Sequence, residues 1–382
     1  LACDHFHRFE EDLDLLVDAG FDAYRFSFSW SRLFPDGKNL NIEGLDFYKQ
    51  LLDAINSRGL RPFGTAYHWD MPQALGQLGG WTVRENAERF GDYMGFIART
   101  FGDGLENLVS INEPWCVAWL SHYLGEHAPG LKDLNSAASA NHFVCLGHGL
   151  GVQAARAETA KPIGIVLNFT PGRVENRSDS DITALERYEA VTNTWYLSAV
   201  TKGKYPHAAL SQLEPLLPRN WQRDMDIIRA PIDFIGINYY TTQMLKAGGQ
   251  DFPYVEIVDR NLPKTDMGWE IEPKGLADAI NLVSQYAPDM PLYITENGMA
   301  SEKSISDPDR IKYYQDHLNV VAKVAQTLPI KGYFAWSLLD NFEWAFGYKK
   351  RFGLVYVDYE TQQRTKKDSF KWWQSELVRP LA

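Results

Sequence analysis

The stretch PLYITENG, residues 291–298, decides how the rest of the chain is interpreted. Its first half is short, apolar and β-branched, which predicts a buried strand. The strand runs directly into Glu296 and then into Asn-Gly, a turn signal. A Glu at the end of a buried strand lies at the rim of a sheet, where the catalytic groups of α/β barrels lie. Taken alone, Glu296 would be interpreted more simply as a helix cap or a solvated charge.

A second stretch, LVSINEP at residues 108–114, repeats this arrangement. It is another apolar strand that ends in a carboxylate, Glu113, here at a proline turn. Two strand-end carboxylates far apart in sequence are what hydrolysis of a glycosidic bond requires, because one protonates the leaving group while the other attacks or activates water. The repetition therefore favours a catalytic interpretation of both Glu113 and Glu296.

Strand-like and helix-like stretches alternate along the whole chain, which predicts a parallel α/β fold. Amphipathic periodicity predicts helices at residues 9–19, 43–58, 84–100, 136–159, 182–200, 273–286, 308–326 and 368–377. Apolar runs predict strands at residues 23–30, 61–69, 108–113, 163–169, 232–240, 292–295 and 332–338. The remaining long segments, residues 248–264 and 300–307, are expected to be loops over one face. These strands number seven, one fewer than a closed eight-stranded barrel.

Composition and charge exclude several classes of protein. The 382 residues are 45% hydrophobic and 23% charged, which is typical of a globular domain. A net charge of −11 argues against nucleic acid or an anionic membrane as a partner. Cys3, Cys116 and Cys145 lack disulfide or metal spacing, so we expect reduced, buried thiols and a cytoplasmic location. His142 and His148 lie six residues apart, not at ligand spacing, and are expected to be core or capping groups.

The ends of the predicted strands carry a particular mixture of side chains. In an α/β barrel these ends converge on one face, and here they bring two carboxylates together with amides, a histidine and aromatic rings. Such a mixture suits an uncharged, hydroxyl-rich ligand with apolar ring faces. Asp70, Glu113 and Glu296 are imaginable as metal ligands, but Trp, Asn and Pro flank them, so we expect no metal and no cofactor.

Taken together, the motifs resemble glycoside hydrolase family 1, the β-glucosidase and β-galactosidase family. The resemblance extends from residue 2 to residue 369 and is carried, in family order, by YHWD at 67–70, NEP at 112–114, NYY at 238–240, TDMGW at 265–269, TENG at 295–298 and WSLLDNFEW at 336–344. It implies a single catalytic (β/α)8 TIM barrel over residues 1–382. It also implies a retaining, β-glucosidase-like enzyme for terminal, unphosphorylated β-D-glucosides, whose range extends to β-galactosides and β-fucosides.

The resemblance assigns roles to the two carboxylates and their neighbours. It implies that Glu296 is the nucleophile, that Tyr240 hydrogen-bonds it, and that Arg25 favours its charged form. Glu113 takes the position of the acid/base, and Asn112 that of the residue that binds the sugar 2-hydroxyl. The two carboxyl groups are expected to lie about 5 to 5.5 Å apart, which gives retention of configuration.

Further substrate-binding positions follow from the same motifs. They are His68, Trp69, Asn238, Trp336, Glu343 and Trp344 around the sugar, with Trp269 as a wall of the aglycone site. Outside these motifs His68 would be interpreted as a core histidine, Trp336 and Trp344 as packing residues, and Glu343 as a solvated charge. The negative charge of Glu343 is expected to repel a sugar 6-phosphate. The basic run at residues 349–351 is expected to form a solvated face.

The chain departs from the family pattern at one place. The family begins with a strand whose loop carries a glutamine for the sugar 3- and 4-hydroxyls, and this sequence starts after that segment. We therefore expect an N-terminally incomplete barrel, whose gap is closed by about 50 further residues or by another chain. The alternatives to a hydrolase are a catalytically inactive truncated barrel that only binds carbohydrate, and a transglycosidase that uses the same residues. The expected partner is a small β-glycoside or oligosaccharide.

Overall fold

The computed structural model describes residues 2–302 and 305–377. Within these residues, seven parallel strands form one sheet, a nearly closed barrel, in the order 23–27, 61–67, 107–112, 163–169, 234–239, 292–297 and 330–335. The strands are β1 (Ala23–Ser27), β2 (Arg61–Tyr67), β3 (Asn107–Asn112), β4 (Ile163–Phe169), β5 (Gly172–Val174), β6 (Phe234–Tyr239), β7 (Gln243–Ala247), β8 (Val255–Val258), β9 (Leu292–Asn297), β10 (Ile330–Ala335), β11 (Val355–Val357) and β12 (Arg364–Lys366). The predicted (β/α)8-type barrel with one strand missing is confirmed.

Helices connect the strands and pack around the sheet. They are α1 (His5–Ala19), α2 (Trp30–Leu33), α3 (Ile42–Ser57), α4 (Gln73–Gln77), α5 (Arg84–Phe101), α6 (Leu134–Glu158), α7 (Asp179–Glu189), α8 (Trp195–Lys202), α9 (His207–Leu213), α10 (Met225–Ile228), α11 (Lys274–Tyr286), α12 (Pro308–Val324) and α13 (Asp368–Leu377). Among residues 2–302 and 305–377, no helix has the length and apolar character needed to cross a membrane.

Side-chain capping explains where several helices begin. Asp133 accepts a hydrogen bond from the N–H of Ser136 at 2.7 Å, which starts α6 two residues before the predicted position. Asn41 accepts from the N–H of Glu43 and starts α3 in the same way. The helix predicted at residues 182–200 is interrupted, because a π-helical turn at Ala190–Thr194 separates α7 from α8.

The strand predicted at residues 23–30 is three residues too long. It ends at Ser27, and Ser29 caps α2 by accepting from the N–H of Arg32 at 3.1 Å. Trp30 therefore opens a helix and is buried against Tyr93, with 5.0 Å between the ring centroids. The predicted strand 23–30 would place Trp30 at a strand end on the rim of the barrel, and this was wrong, because the polar Ser29 side chain ends the strand earlier than the aromatic run suggests.

Two small sheets lie outside the barrel, and neither was predicted. Strands β5, β7 and β8 form one, and β11 and β12 form the other. Residues 248–264 are therefore not purely a loop, since they contain β8 in antiparallel register with β7. The other predicted loop, residues 300–307, includes two residues that lie outside the described ones.

A gap separates the two edge strands of the barrel. Strand β1 pairs with β2, and β10 pairs with β9; among the described residues no strand pairs with their outer edges. All side chains of β3 and β6 are buried, whereas those of β10 are half-buried or exposed. A cavity of about 390 Å³ lies in the gap, with Tyr24, Phe26 and Tyr333 in its lining. The same lining includes Arg25, His68 and Trp336 at the carboxyl ends of the strands.

Candidate active site

The first strand-end carboxylate lies where the backbone leaves β3. Glu113 follows Asn112 directly and has φ of 50°, in the left-handed region that costs a residue other than glycine about 1–2 kcal/mol. Its N–H donates to the carbonyl of Val166 at 2.9 Å, and its carbonyl accepts from the N–H of Cys116 at 3.0 Å. These bonds hold the sharp turn, so the chain passes from strand to helix while the Glu113 side chain stays at the rim.

The second strand-end carboxylate lies where β9 and β10 come very close together. A Cβ added to Gly298 would lie 2.0 Å from the carbonyl oxygen of Trp336, so a side chain has no room there. The N–H of Trp336 donates to the carbonyl of Asn297 at 2.9 Å and joins the two strand ends. The close approach therefore requires glycine at position 298, and Glu296 is the acidic residue of β9, two positions before this junction.

Three side chains connect the two carboxylates. The amide of Asn238 donates to Oε1 of Glu113 at 2.7 Å and to Oδ1 of Asn112 at 3.1 Å. The same Asn112 oxygen accepts from Nη2 of Arg25 at 2.6 Å, and Nη1 of Arg25 donates to Oε1 of Glu296 at 2.7 Å. A continuous path of hydrogen bonds therefore runs from one carboxylate to the other.

Glu296 is surrounded by donors. Arg25 donates to Oε1 and the hydroxyl of Tyr240 donates to Oε2, both at 2.7 Å. The Arg25 and Glu296 side chains are 6% and 5% exposed, so this charge-assisted pair is shielded from water. Each oxygen of Glu296 serves as an acceptor, as the oxygens of an ionised carboxylate do.

Glu113 has a different environment. Burial and the neighbouring charge of Glu296 raise its pKa to about 7. Hydrogen bonds from Asn238 to Oε1 at 2.7 Å and from the Cys116 thiol to Oε2 at 3.1 Å act in the opposite direction. Glu113 thus exchanges its proton near neutral pH, whereas Glu296 accepts hydrogen bonds from a guanidinium and a phenol. Such a difference in environment separates a general acid from a nucleophile.

His68 lies between the strand ends and uses both ring nitrogens. Its Nε2 lies 3.2 Å from Nδ2 of Asn112, and its Nδ1 lies 3.1 Å from the hydroxyl of Ser27. Burial, together with the charge of Arg25, lowers the pKa of His68 to about 3. His68 is therefore a neutral polar group at the rim.

Aromatic rings form a wall beside this network. Trp69 and Trp344 have ring centroids 4.9 Å apart, and His68 lies 6.0 Å from both Trp336 and Trp344. Nε1 of Trp69 donates to the carbonyl of Asn112 at 2.8 Å. On the other side, Trp269 lies 5.3 Å from Tyr240. The site is thus lined by the faces and edges of rings, which suit the C–H faces of a sugar.

Glu343 does not match the charge expected of it. Burial, followed by the charges of Glu296 and Glu113, raises its pKa to about 8. This shift favours the protonated carboxyl near neutral pH and weakens the expected electrostatic repulsion of a phosphate, which stays a prediction. The expected solvated basic run was wrong in part: Arg351 pairs with Asp340 at 2.7 Å, and Nζ of Lys350 donates to the carbonyl of Asp266.

Comparison with known proteins identifies the family. A profile described as Glycosyl hydrolase family 1 matches residues 1–379. The chain belongs to glycosyl hydrolase family 1. It is 42% identical over 384 residues to Beta-glucosidase A of Thermotoga maritima, covering 98% of this chain and 86% of the relative. It is 41% identical to the Bifunctional beta-D-glucosidase/beta-D-fucosidase of Bifidobacterium breve, covering 98% of this chain and 87% of the relative.

Solved family 1 structures share the fold throughout. The Thermotoga maritima β-glucosidase in complex with isofagomine lactam matches with a TM-score of 0.95 and 41% identity, over 99% of this chain and 87% of that one. The seven-stranded barrel is therefore the family 1 barrel, and the gap between β10 and β1 lies within it.

The family 1 motifs are brought together by contacts at the carboxyl ends of the barrel strands. Direct contacts or electrostatic interactions connect Arg25, His68, Trp69, Asn112, Glu113, Asn238, Tyr240, Trp269, Glu296, Trp336, Glu343 and Trp344. The role of Asn238 as a sugar contact stays a prediction. The residue is fully buried, and its amide group hydrogen-bonds Asn112, Glu113 and Thr295.

Asp70 lies apart from the two glutamates. The hydroxyl of Ser31 donates to it at 3.1 Å, and burial raises its pKa to about 6. Over the described residues 2–302 and 305–377, no three His, Cys, Asp or Glu side chains are grouped so that they could hold a metal ion. His142 and His148 are core residues, as predicted: the first bonds Tyr205 and Asp224, the second the hydroxyl of Ser110.

Two site residues were missed by sequence reasoning. Cys116 contacts Glu113, and its only signal was its place three residues later, where a helical turn returns a side chain to the same face. His127 packs on Trp69 and Trp344, with ring centroids 5.1 and 6.1 Å away. No local pattern marked His127, because the segment that carries it lies on the site only through the tertiary fold.

Proposed function

We propose that this family 1 protein is a retaining β-glucosidase that hydrolyses terminal, unphosphorylated β-D-glucosides. The observation that carries the proposal is the pair of buried carboxylates with opposite environments, connected through Arg25, Asn112 and Asn238. The names of the relatives support glucose as the sugar, and the Bifidobacterium breve relative supports extension to β-fucosides. An inactive carbohydrate-binding barrel is less consistent with a site that retains both carboxylates and their donors.

In the first step, an oxygen of Glu296 attacks the anomeric carbon. The glycosidic C–O bond breaks, and the leaving oxygen takes the proton of Glu113, whose pKa of about 7 lets it be protonated at neutral pH. The product is a glycosyl-enzyme ester on Glu296 and a free alcohol. Asn112, held by Arg25, is the proposed partner of the sugar 2-hydroxyl.

In the second step, water attacks the anomeric carbon of the ester from the face that the alcohol left. Glu113 takes a proton from that water, and the bond between the sugar and Glu296 breaks. The ester carries no negative charge, so the pKa of Glu113 falls when it must act as a base. The expected carboxyl separation of about 5 to 5.5 Å and retention of configuration remain predictions.

The two roles are tested by variants that should fail differently. Glu296→Ala should abolish turnover of every β-glucoside, because no ester can form. Glu113→Ala should slow alkyl glucosides roughly 10²–10⁴-fold and should slow the first step of dinitrophenyl glucosides far less, because dinitrophenolate leaves without a proton. Glu85→Gln, an exposed carboxylate in the first turn of α5, is the control and should be unchanged. Equal losses on both substrates for both variants would refute the assignment.

We also propose that residues 1–382 form a single catalytic domain whose eighth strand position is filled by a further, extended segment of the same protein. Among residues 2–302 and 305–377 no strand pairs with the outer edges of β1 and β10, and a cavity of about 390 Å³ lies between them; both observations support this. Intact-mass measurement on the protein from its natural source tests it. A fully active monomer near 43.5 kDa would contradict the proposal.

A cytoplasmic location is proposed on separate grounds. The three cysteines of the chain, all within the described residues, are unpaired, and Cys116 and Cys145 are buried. Free thiols are typical of a reducing compartment. Cell fractionation with activity measured in each fraction checks this, and recovery of the activity outside the cell would overturn it.

A further inference from the structure

The side chain of Cys116 lies against the carboxyl group of Glu113. Its Sγ is 3.1 Å from Oε2, and both residues are almost completely buried. Cys116 begins a π-helical turn, Cys116–Leu120, that follows the left-handed backbone of Glu113. Its own N–H donates to the carbonyl of Glu113 at 3.0 Å, so backbone and side chain both connect the two residues.

In this contact the thiol acts as the donor. Burial, followed by the adjacent charge of Glu113, raises the pKa of Cys116 well above its ordinary value, so the sulfur keeps its proton through the neutral range. A thiol in that state can donate one hydrogen bond, and Oε2 of Glu113 is an acceptor within reach. The titratable groups that face this pair are Glu296, Glu343 and Tyr240 around Glu113, and Glu126 near the sulfur; the guanidinium of Arg25 also acts on Glu113.

Both oxygens of Glu113 are therefore held. Asn238 donates to Oε1 at 2.7 Å and Cys116 donates to Oε2 at 3.1 Å. Two donors on opposite oxygens fix the plane of the carboxyl group. They also favour its ionised form, against the burial and the Glu296 charge that favour the protonated form.

We propose that Cys116 is a positioning residue for the acid/base: its S–H bond orients the Glu113 carboxyl and favours the ionised form that the second step requires. The inference rests on the proposed function, since it needs Glu113 to exchange a proton in each step. It predicts that loss of the donor raises the pKa of Glu113, so that Glu113 keeps its proton to higher pH and is a poorer base in the second step.

The experiment compares pH profiles of Cys116→Ala, Cys116→Val and Cys116→Ser with the unaltered protein. Val fills the position of the sulfur with one methyl group more and no donor, so it provides the test if the Ala variant fails to fold, and Ser keeps a donor. With a nitrophenyl glucoside, the basic limb of kcat/KM should move up by about 0.5–1 pH unit in Ala and Val and stay near its original place in Ser. With a dinitrophenyl glucoside limited by the second step, the acidic limb of kcat should move up as well.

A second buried thiol provides the matched control. Cys145 is buried in α6 with Tyr205 as its hydrogen-bond partner, and burial raises its pKa to about 12. Cys145→Ala should lower the melting temperature as a cavity does while leaving both limbs in place. If the limbs of the pH profile shift in Cys116→Val and do not shift in Cys145→Ala, the cause is the lost hydrogen bond to Glu113 and not a change in packing.

Two outcomes overturn different claims. If the folded Val and Ala variants have pH profiles whose limbs coincide with those of the unaltered protein, Cys116 is only a packing residue and the inference is wrong. Glu113→Gln is measured in parallel and should lose the basic limb. If that limb persisted without Glu113, the acid/base assignment itself would fall, and with it the basis of this proposal.

Discussion

The charge of Glu296 should set a large part of the proton affinity of Glu113, and Glu296→Gln tests this. The substitution keeps the shape of the side chain and removes its charge. The surroundings raise the pKa of Glu113 from an ordinary 4.5 to about 7, which corresponds to roughly 3 kcal/mol in the free energy of ionisation. Burial is the largest cause and the charge of Glu296 is the second.

The size of the Glu296 contribution follows from Coulomb's law. Two charges about 5.5 Å apart at an effective dielectric constant of about 20 repel by roughly 3 kcal/mol, which is an upper bound because Arg25 neutralises part of the Glu296 charge. We therefore expect Glu296→Gln to lower the pKa of Glu113 by about one to two units, to between about 5 and 6. It should stay above 4.5, because burial remains.

A titration followed by ¹³C NMR, with the glutamate side-chain carboxyls labelled, measures this directly in the inactive variant. The double variant Glu113→Gln, Glu296→Gln identifies the Glu113 resonance by its loss. A pKa that stays at about 7 in Glu296→Gln would show that burial alone sets it, and the coupling between the two carboxylates would be refuted. A fall to 4.5 would instead refute the contribution of burial.

Three further predictions concern specificity, the strand ends and stability. The kcat/KM for the free glucoside should exceed that for its 6-phosphate by at least about tenfold. The ammonium of Lys350 is engaged by the carbonyl of Asp266, and Glu343 is a carboxyl, so neither provides a positive charge for the phosphate. A higher kcat/KM for the 6-phosphate would contradict this. Gly298→Ala should reduce kcat about 100-fold with the fold retained by circular dichroism, because its Cβ would lie 2.0 Å from the Trp336 carbonyl, and near-normal kcat would show that the strand ends yield. Lys367→Met should lower the free energy of unfolding in urea by about 1–3 kcal/mol, because it removes one donor from the buried Asp340, which keeps its pair with Arg351, whereas the exposed Lys371→Met should change it by less than about 0.5 kcal/mol.

The sequence by itself determined the architecture and the position of the reactive groups. Runs of apolar residues with period two or 3.6 depend on local chemistry and identified seven strands and their helices to within a few residues. Glu113 and Glu296 were identifiable because each follows an apolar strand at a Pro or Gly turn, and such a strand end lies at one face of a parallel barrel. The gap in the barrel was visible for the same reason, as a count of strands.

Only the tertiary structure decided what each group experiences. The raised pKa of Glu343 and the donor from Cys116 to Glu113 depend on burial and on partners from distant segments, which no local pattern encodes. The same holds for Arg351, which belongs to a basic run in sequence but in space is half-buried and pairs with the buried Asp340. Periodicity reports which face of an element is apolar, whereas charge, desolvation and hydrogen-bond partners are set when elements far apart in the chain pack together.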